Sequence, residues 1–355
     1  MCTRILWTGK VGDKSSSVCG RNMDWGLEME EKLWVFPVGL KRKSDVKGKF
    51  IGWVSKYGSI AASVYDQATS DGMNEKGLAI HANWLTESYY GERDESKPGL
   101  DGNRGLQYFL DNFATVREVV EHLEKNKDLQ FVTTKIKKGN GDEKVQCHLA
   151  MEDAQGESVI IEYLKNGDSV ERNIYYSGDI LNYSMQYNVL TNSPPFDQQL
   201  LNLQKYKGFG GELDLPGTTA AADRFVRGVF YLNSLPQPAN QREAIAGVLS
   251  VMRSTAQPFR VPDSGVPYAS STRWRTVAAL TEKLYLYESS LYPTLIWLDA
   301  KKLDFKEGSG VRVFDLAKNR EAIGDISEKL TPAEDLFGNN VSTDSLHLYV
   351  RTHIS

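Results

Sequence analysis

The chain has 355 residues, of which 41% are hydrophobic and 25% are charged, a composition typical of a folded globular protein. Its net charge of −4 gives no electrostatic basis for binding nucleic acid or an anionic membrane, and no apolar run is long enough to span a bilayer. Its three cysteines and five histidines form neither a disulfide framework nor a metal-ligand pattern, so we expect no metal and no other cofactor.

The first hundred residues are predicted to be almost entirely β-structure. The apolar residues 2–8 predict a strand that begins at the second residue, and residues 17–22 predict its antiparallel partner. A hairpin of this length would bring Arg21 and Asp24 back towards the amino terminus. Further strands are predicted at residues 33–37, within 53–63 and at 78–84. The polar stretches 41–49 and 71–78 are predicted to be a solvated loop and a turn-rich connection.

Helices enter the pattern after residue 101. Helical spacing of apolar residues begins at Gly102, and Thr115 with Glu118 three residues later predicts the capped start of a second helix. The charged stretch 135–144 is predicted to be a loop. Later helices are predicted at 197–206, 222–234 and 241–252. Later strands are predicted at 145–151, 158–163, 188–191, 272–278, 283–289, 295–299 and 345–351.

The grouping of these elements predicts the fold class. Strands come in antiparallel groups rather than alternating with helices, which argues against a doubly wound parallel sheet and favours an α+β layered fold. Two antiparallel sheets packed face to face with helices outside them would form a four-layer sandwich, but periodicity alone leaves the layering open. The chain shows neither an internal repeat nor a linker, so we expect a single domain over residues 1–355.

Cys2 is the one cysteine whose chemistry a processing event could change. Because a small residue follows Met1, the initiator methionine can be removed, which would leave Cys2 with both a thiol and a free α-amino group. An α-amino group ordinarily has a pKa of about 7.7–8.0 and a thiol one of about 8.5, so the amine can accept the proton of the thiol. One residue would then supply both nucleophile and general base. The position of Cys2 alone is also compatible with a cysteine that has no catalytic function.

Six short segments carry a pattern that extends over most of the chain. They are residues 1–4, 20–25, 71–78, 190–194, 223–227 and 270–274. Each is weak alone, but together and in this order they resemble the choloylglycine hydrolase family of conjugated bile salt hydrolases and penicillin V acylases, which are N-terminal nucleophile hydrolases. The resemblance implies an αββα sandwich and the hydrolysis of a linear amide by Cys2.

The resemblance also implies roles for five other residues. Arg21 matches the arginine beside the nucleophile, where a cation favours the thiolate. Asp24 matches the aspartate that orients the α-amino group. Asn83 and Asn192 match the two oxyanion-hole asparagines, whose neutral amides can stabilise a developing negative charge. Arg224 matches a further arginine near the nucleophile. The alternatives without such roles are an exposed strand arginine for Arg21, an exposed helix arginine for Arg224, and turn residues for Asp24, Asn83 and Asn192.

Two tryptophans bear on the substrate. Trp25 follows Asp24 and Trp84 follows Asn83, where many bile salt hydrolases carry other residues. A pair of indoles suits an aromatic acyl group and resembles the Gram-negative penicillin V acylase branch, so we expect penicillin V or a similar acyl amide as substrate. Conjugated bile salts and acyl-homoserine lactones are the alternatives within the family, and a catalytically silent small-ligand binder is the non-enzymatic one. A further alternative is that both tryptophans pack in the core and have no binding role.

Assembly and location are expected from the resemblance as well. It implies a small-molecule amide as partner and a homo-oligomer, which is a tetramer in the Gram-positive branch. The segment between Asn192 and Arg224 is shorter here than in that branch, where it contributes to the tetramer contact. No signal peptide is recognisable, so a cytoplasmic location is expected for the chain as it stands, and a periplasmic one if a signal peptide has been removed. Cys19 and Cys147 are predicted to be structural.

Overall fold

A computed structural model describes residues 1–138, 141–179, 188–259, 270–292 and 294–338. The helices in these ranges are α1 (Gly102–Asn112), α2 (Val116–Lys125), α3 (Phe196–Leu203), α4 (Ala221–Asn233) and α5 (Gln241–Ser254). The strands are β1 (Cys2–Val11), β2 (Lys14–Trp25), β3 (Lys32–Phe36), β4 (Lys41–Lys43), β5 (Gly52–Val54), β6 (Ser59–Val64), β7 (Ala68–Asn74), β8 (Ala79–Trp84), β9 (Gly99–Asp101), β10 (Gln130–Val132), β11 (Lys135–Lys138), β12 (Gly141–Lys144), β13 (Cys147–Glu152), β14 (Ser158–Asn166), β15 (Ser169–Tyr176), β16 (Val189–Leu190), β17 (Ser271–Ala279), β18 (Leu284–Ser289), β19 (Leu295–Asp299), β20 (Val311–Asp315), β21 (Gly324–Asp325) and β22 (Thr331–Ala333).

Two large sheets form the centre of the fold. One has seven strands in the order β16-β1-β2-β17-β18-β19-β21, and the other has nine in the order β15-β14-β13-β8-β7-β6-β3-β20-β22. Apolar side chains of both sheets share one buried cluster between them. Helices α1 and α2 pack on the outer face of the nine-stranded sheet, and α3, α4 and α5 pack on that of the seven-stranded sheet. This is the αββα sandwich, so the predicted fold class is confirmed.

Strand register places the predicted site residues at one end of the sandwich. In the β1–β2 hairpin Cys2 lies opposite Met23 and Arg4 lies opposite Arg21. On the other side of β2, Thr272 of β17 lies opposite Asp24, next to an irregularity in the register. The expected return of β2 to the amino terminus is therefore confirmed.

The stretch 71–78 is the first of three polar segments for which the sequence prediction was wrong in part, since residues 75–76 do form a turn. Residues 71–74 belong to the buried strand β7. Position 72 of this strand requires glycine, because a Cβ atom there would lie 2.6 Å from the carbonyl oxygen of Ile60. Asn74 is held by its side-chain amide, which donates to the carbonyls of Leu110 at 2.9 Å and Phe113 at 2.7 Å. Typical turn residues are thus used here for close packing and for holding α1.

The other two polar segments also form strands where loops were predicted. Residues 41–43 form β4, in which Arg42 is buried between Asp111 at 2.7 Å and Asp335 at 3.0 Å. Residues 135–138 and 141–144 form the antiparallel pair β11–β12. Gln67 joins this pair to the rest of the fold through the backbone N–H of Lys137 at 2.9 Å and its carbonyl at 3.0 Å. Charge alone gave no sign of these partners, because they are distant in sequence.

Helix α2 starts as predicted, with the hydroxyl of Thr115 accepting from the backbone N–H of Glu118 at 3.2 Å. The sequence reading missed β15, β20 and β22 at the edges of the larger sheet. The strand predicted at 345–351 lies outside the described residues, and the single domain over 1–355 stays a prediction. None of the helices in the described ranges combines the length and apolar character needed to cross a membrane.

Candidate active site

Cys2 opens strand β1 and is 3% exposed, in the layer between the two sheets. Arg21, on the neighbouring strand, donates through Nη2 to the Cys2 sulfur at 3.2 Å and to the carbonyl of Ala82 at 2.6 Å. Because Ala82 belongs to β8, this one guanidinium joins the two sheets at the nucleophile. A cation in hydrogen-bond contact with sulfur favours the thiolate over the thiol. Arg21 is 1% exposed, which excludes the alternative of an exposed strand arginine.

The nitrogen of Cys2 is held by Asn192. In the chain with Met1 in place, the backbone N–H of Cys2 donates to Asn192 Oδ1 at 2.7 Å. This amide nitrogen occupies the position of the α-amino nitrogen that removal of Met1 would create. Asn192 Oδ1 also accepts from Arg224 Nη2 at 2.7 Å, while its Nδ2 donates to the carbonyl of Trp84 at 2.7 Å. An amide nitrogen carries two hydrogens, and the second Nδ2 hydrogen has no acceptor among the described residues.

Asp24 lies beside the amino terminus in a fully buried position. Its carboxylate accepts from Thr272 Oγ1 at 2.5 Å and Gln257 Nε2 at 3.2 Å, and it pairs with Arg224 Nη1 at 3.3 Å. Its backbone carbonyl accepts from the amino group of Met1. Burial lowers the pKa of that amino group despite the nearby carboxylate. The structure thus brings Asp24 to the terminus, and its orientation of the Cys2 amine stays a prediction.

Arg224 reaches the same point from helix α4. Its Nη1 donates to the carbonyl of Cys2 and to the hydroxyl of Thr3, both at 2.6 Å. The side chain has no exposed surface, and Arg227 one turn later is also buried, so the alternative of an exposed helix face is wrong. Arg224 therefore fixes the backbone on both sides of the nucleophile, through the Cys2 carbonyl and through Asn192.

Asn83 is close to this group but its side chain is used elsewhere. Its Nδ2 donates to the carbonyls of Leu190 at 3.2 Å and Thr191 at 3.1 Å, which commits both amide hydrogens. It has no exposed surface and holds the segment that leads into Asn192. The role of its side chain in the oxyanion hole stays a prediction.

The backbone of β8 next to Asn83 faces the nucleophile. In the β8–β13 pairing the N–H of Leu85 donates to Gln146, so by strand alternation Ala82 and Trp84 direct their backbone groups to the opposite edge. The carbonyls of Ala82 and Trp84 indeed accept from Arg21 and Asn192. The backbone N–H of Trp84 points to this same edge and is a further candidate donor to an oxyanion.

An apolar cavity opens beside the Cys2 sulfur. The rings of Trp25 and Trp84 lie on its wall with centroids 5.8 Å apart and planes inclined by 54°. Trp25 is held by its Nε1, which donates to the hydroxyl of Tyr65 at 2.9 Å. Met1 also lines the cavity. Both predicted tryptophans are therefore at the site, and removal of Met1 would enlarge the space beside the thiol.

One cluster has the side-chain types of a metal site. Cys19, His81 and Glu152 place their ligand atoms within 4.8 Å of one another. However, His81 directs one ring nitrogen to Asp71 at 2.5 Å and the other to Glu152 at 2.7 Å. Burial raises the pKa of Cys19 to about 12, so its thiol keeps its proton. These groups fit a hydrogen-bonded network and fit a metal poorly.

Sequence reasoning missed several groups of the site. Thr272 lay inside a recognised segment but was given no role, and Gln257 showed no signal at all. The carbonyl of Ala82 could not be anticipated, because a backbone acceptor has no sequence signature. Cys147, predicted to be structural, begins β13 and lines the cavity, although burial raises the pKa of its thiol to about 12.

Comparison with known proteins identifies relatives over most of the chain. Residues 2–311 match the family described as linear amide C–N hydrolases, choloylglycine hydrolase family. A penicillin V acylase from Pectobacterium atrosepticum is 35% identical over 356 residues, covering 94% of this chain and 90% of that protein. A bile salt hydrolase/transferase from Lactiplantibacillus plantarum is 28% identical, covering 66% of this chain and 72% of that protein.

Solved structures agree with these matches. The structure of penicillin V acylase from Agrobacterium tumefaciens matches with a TM-score of 0.80 and 40% identity, covering 94% of this chain and 98% of the other. A mutant conjugated bile acid hydrolase from Clostridium perfringens matches with a TM-score of 0.71 and 22% identity, covering 88% and 96%, and shares the fold.

Proposed function

The chain belongs to the choloylglycine hydrolase family of linear amide C–N hydrolases, and we propose that Cys2, once Met1 is removed, hydrolyses the side-chain amide of penicillin V or a similar acyl amide. The observation that carries the proposal is the position of Arg21 Nη2, 3.2 Å from the Cys2 sulfur, beside an apolar cavity with two indoles on its wall. A cation in contact with the sulfur and an aromatic surface beside it support this proposal.

The proposed reaction has two halves. In the first, the α-amine of Cys2 accepts the thiol proton and the sulfur bonds to the amide carbon, which places the negative charge on the carbonyl oxygen. Asn192 Nδ2 and a donor from residues 83–84 stabilise that oxyanion. The α-ammonium then gives its proton to the departing nitrogen as the carbon–nitrogen bond breaks, which leaves a thioester.

In the second half water replaces the amine. The α-amine takes a proton from a water molecule as the water oxygen attacks the thioester carbon, and the carbon–sulfur bond breaks. The carboxylic acid leaves and the thiol regains its proton. No net proton or electron is needed from outside the site, because the amine holds the proton at each stage.

Substrate choice rests on the two indoles. Trp25 and Trp84 are partly exposed on the cavity wall, so an aromatic acyl group can pack against them. Such a ring contact is worth about 0.5–1.5 kcal/mol beyond the burial of area. The two penicillin V acylase relatives are 35% and 40% identical to this chain, whereas the bile salt and bile acid hydrolases are 28% and 22% identical, which favours an aryl acyl amide over a bile salt.

Mass spectrometry and alkylation test the nucleophile. Intact mass should show that Met1 is absent, and iodoacetamide should inactivate the enzyme as it labels Cys2. Cys19 and Cys147 serve as internal controls, because burial raises the pKa of each to about 12 and leaves them protonated at neutral pH. Full activity in protein that retains Met1, or wild-type turnover in Cys2→Ser, would contradict the proposed chemistry.

A parallel assay tests the substrate. Penicillin V, glycocholate, taurocholate and a long-chain acyl-homoserine lactone are compared at equal enzyme concentration, with Cys2→Ser as the blank. We expect the highest kcat/KM on penicillin V. Strong turnover of glycocholate with none of penicillin V would reverse the substrate assignment within the family.

A further inference from the structure

A line of buried charged groups extends from the Cys2 sulfur through the sandwich. Asp71 Oδ2 lies 3.9 Å from Arg21 Nη1 and 2.5 Å from His81 Nδ1. His81 Nε2 lies 2.7 Å from Glu152 Oε1, and Glu152 Oε2 accepts from Arg4 Nη2 at 2.6 Å. These five residues are each 0–1% exposed, and we call them the buried charge chain. Cations and carboxylates alternate along it, crossing twice between the sheets.

His81 is the centre of the buried charge chain, and its contacts with two carboxylates favour an imidazolium. A neutral imidazole carries one N–H, so it could donate to only one of the two carboxylates and would turn a lone pair towards the other. Burial alone lowers the pKa of His81, but Asp71 and Glu152 outweigh it and raise the pKa well above its usual value. Burial likewise opposes ionisation of Glu152, yet Arg4 and His81 lower its pKa to about 2.

The charge sum of the chain depends on the sulfur at its end. Arg4, Arg21 and His81 carry three positive charges against two negative charges on Asp71 and Glu152. The buried charge chain and the Cys2 sulfur together therefore carry a net charge of +1 when the sulfur is a thiol and a net charge of zero when it is a thiolate. Buried charges are poorly screened, so this excess favours ionisation of the sulfur.

Arg21 is the member through which the chain acts on the sulfur. Its Nε and Nη1 have no hydrogen-bond partner among the described residues. Its position is set by the Nη2 contacts, by Asp71 and by the ring of Trp274, whose centroid is 5.2 Å from the guanidinium carbon. An Asp71 charge without a counterion of its own would attract Arg21 away from the sulfur.

We propose that His81 is a positioning residue of this hydrolase, which as a buried cation balances Asp71 and so leaves the charge of Arg21 directed at the Cys2 sulfur. The inference deepens the proposed function and rests on Cys2 as its nucleophile. His81 touches neither the sulfur nor the cavity wall, and it acts through Asp71 and Arg21.

Other titratable groups face the two ends of the chain. Around His81 they are Arg4, Cys19, Arg21, Asp71, Glu152 and Tyr285. Around Cys2 they are the amino terminus, Arg21, Asp24, Cys147 and Arg224. Burial raises the pKa of Cys19 to about 12 and that of Tyr285 well above its usual value, so neither titrates near neutrality. The α-amino group beside the sulfur does titrate in this range, so each variant is compared with the unsubstituted protein, in which that group is the same.

Two substitutions of opposite charge effect test the proposal in the full chain. The readout is the rate of Cys2 alkylation by iodoacetamide from about pH 5 to about pH 10, with the labelled site identified by peptide mass. His81→Gln removes a positive charge and should raise the pH midpoint by about one unit, which slows alkylation about tenfold below the midpoint. Asp71→Asn removes a negative charge while Glu152 still holds the His81 proton, so it should lower the midpoint.

Turnover gives a second readout that a merely structural role would not reproduce. In His81→Gln the kcat for penicillin V should fall at low pH and recover as the pH is raised, with KM unchanged. His122→Gln is the control, because His122 is a partly buried histidine that contacts Tyr108 on the outer helices. It should leave the alkylation midpoint unchanged.

Opposite shifts in His81→Gln and Asp71→Asn support the proposal. Shifts in the same direction, or no shift in a folded His81→Gln protein, overturn it. If His81→Gln does not fold, Asp71→Asn decides: a lowered midpoint supports the proposal, and an unchanged or raised midpoint overturns it. The alkylation readout needs no substrate, so absent penicillin V turnover would count against the proposed function alone.

Discussion

Asn192 is the site residue at which a single substitution separates two functions of one side chain. Its Oδ1 accepts from the Cys2 nitrogen and from Arg224 Nη2, both at 2.7 Å, and its Nδ2 donates to Trp84. Asn192→Asp preserves the shape and both accepting contacts but removes the amide donor. The oxyanion then loses a hydrogen bond while the buried arginine keeps its partner.

The expected loss for Asn192→Asp is about 10²–10³-fold in kcat, equivalent to about 2.7–4 kcal/mol, with little change in KM. The new carboxylate would also hold the α-amino group as an ammonium, so the pH–rate profile should move to higher pH. The plateau values of kcat are therefore compared, rather than rates at one pH. The unfolding free energy should fall, because the new carboxylate oxygen would face the Trp84 carbonyl to which Nδ2 donates at 2.7 Å, while pairing with Arg224 offsets part of the loss.

Asn192→Ala provides the contrasting result. It removes the donor and the acceptor together, so kcat should fall similarly while the unfolding free energy falls by about 1–3 kcal/mol for each buried donor left unpaired. Asn22→Asp is the matched control: Asn22 is fully buried on β2, and its Nδ2 donates to the carbonyl of Met252 at 2.8 Å. It should alter stability and leave kcat intact.

The assay follows release of the free amine from penicillin V between about pH 6 and about pH 9.5, with stability measured by urea unfolding. A wild-type plateau kcat in Asn192→Asp would refute the assignment of Asn192 Nδ2 as an oxyanion donor. The remaining donor would then be sought in the backbone of residues 83–84.

Two further predictions concern the cavity and acid stability. Trp25→Ala or Trp84→Ala should reduce kcat/KM for penicillin V more than for glycocholate, and equal losses in a parallel assay would mean that the indoles only support the site. Burial lowers the pKa of His122 from 6.5 to about 4, so this histidine binds a proton more readily in the unfolded protein than in the folded one. The unfolding free energy should therefore fall as the pH is lowered from 6.5 to 4, by at most about 3 kcal/mol. Urea unfolding of His122→Gln should show a flatter pH dependence over that window, and an unchanged dependence would contradict the assignment.

The sequence was most informative where a local pattern has one structural meaning. The β1–β2 hairpin follows from two apolar runs separated by turn residues, and the start of α2 follows from Thr115 and Glu118. The αββα layering was supplied by the family resemblance, since strand periodicity does not say which sheets face each other. The homo-oligomer stays a prediction.

The errors arise where distant partners decide the structure. Asp71, Gly72 and Asn74 read as turn residues, but the buried charge chain, the contact with Ile60 and the end of α1 make them part of a strand. Arg42 reads as a solvated cation, but Asp111 and Asp335 bury it. Burial of such groups is favourable only when paired, and the pairing is invisible to a local pattern.

The position of the nucleophile depends on groups that are distant in sequence. Cys2 contacts Arg21, Asn192 and Arg224, which are 19, 190 and 222 residues away. Met1 lines the cavity and covers the nitrogen that must act as base. Its removal would therefore both free the amine and open the space in which a substrate binds. Processing and substrate access are coupled by this geometry, because one residue blocks both.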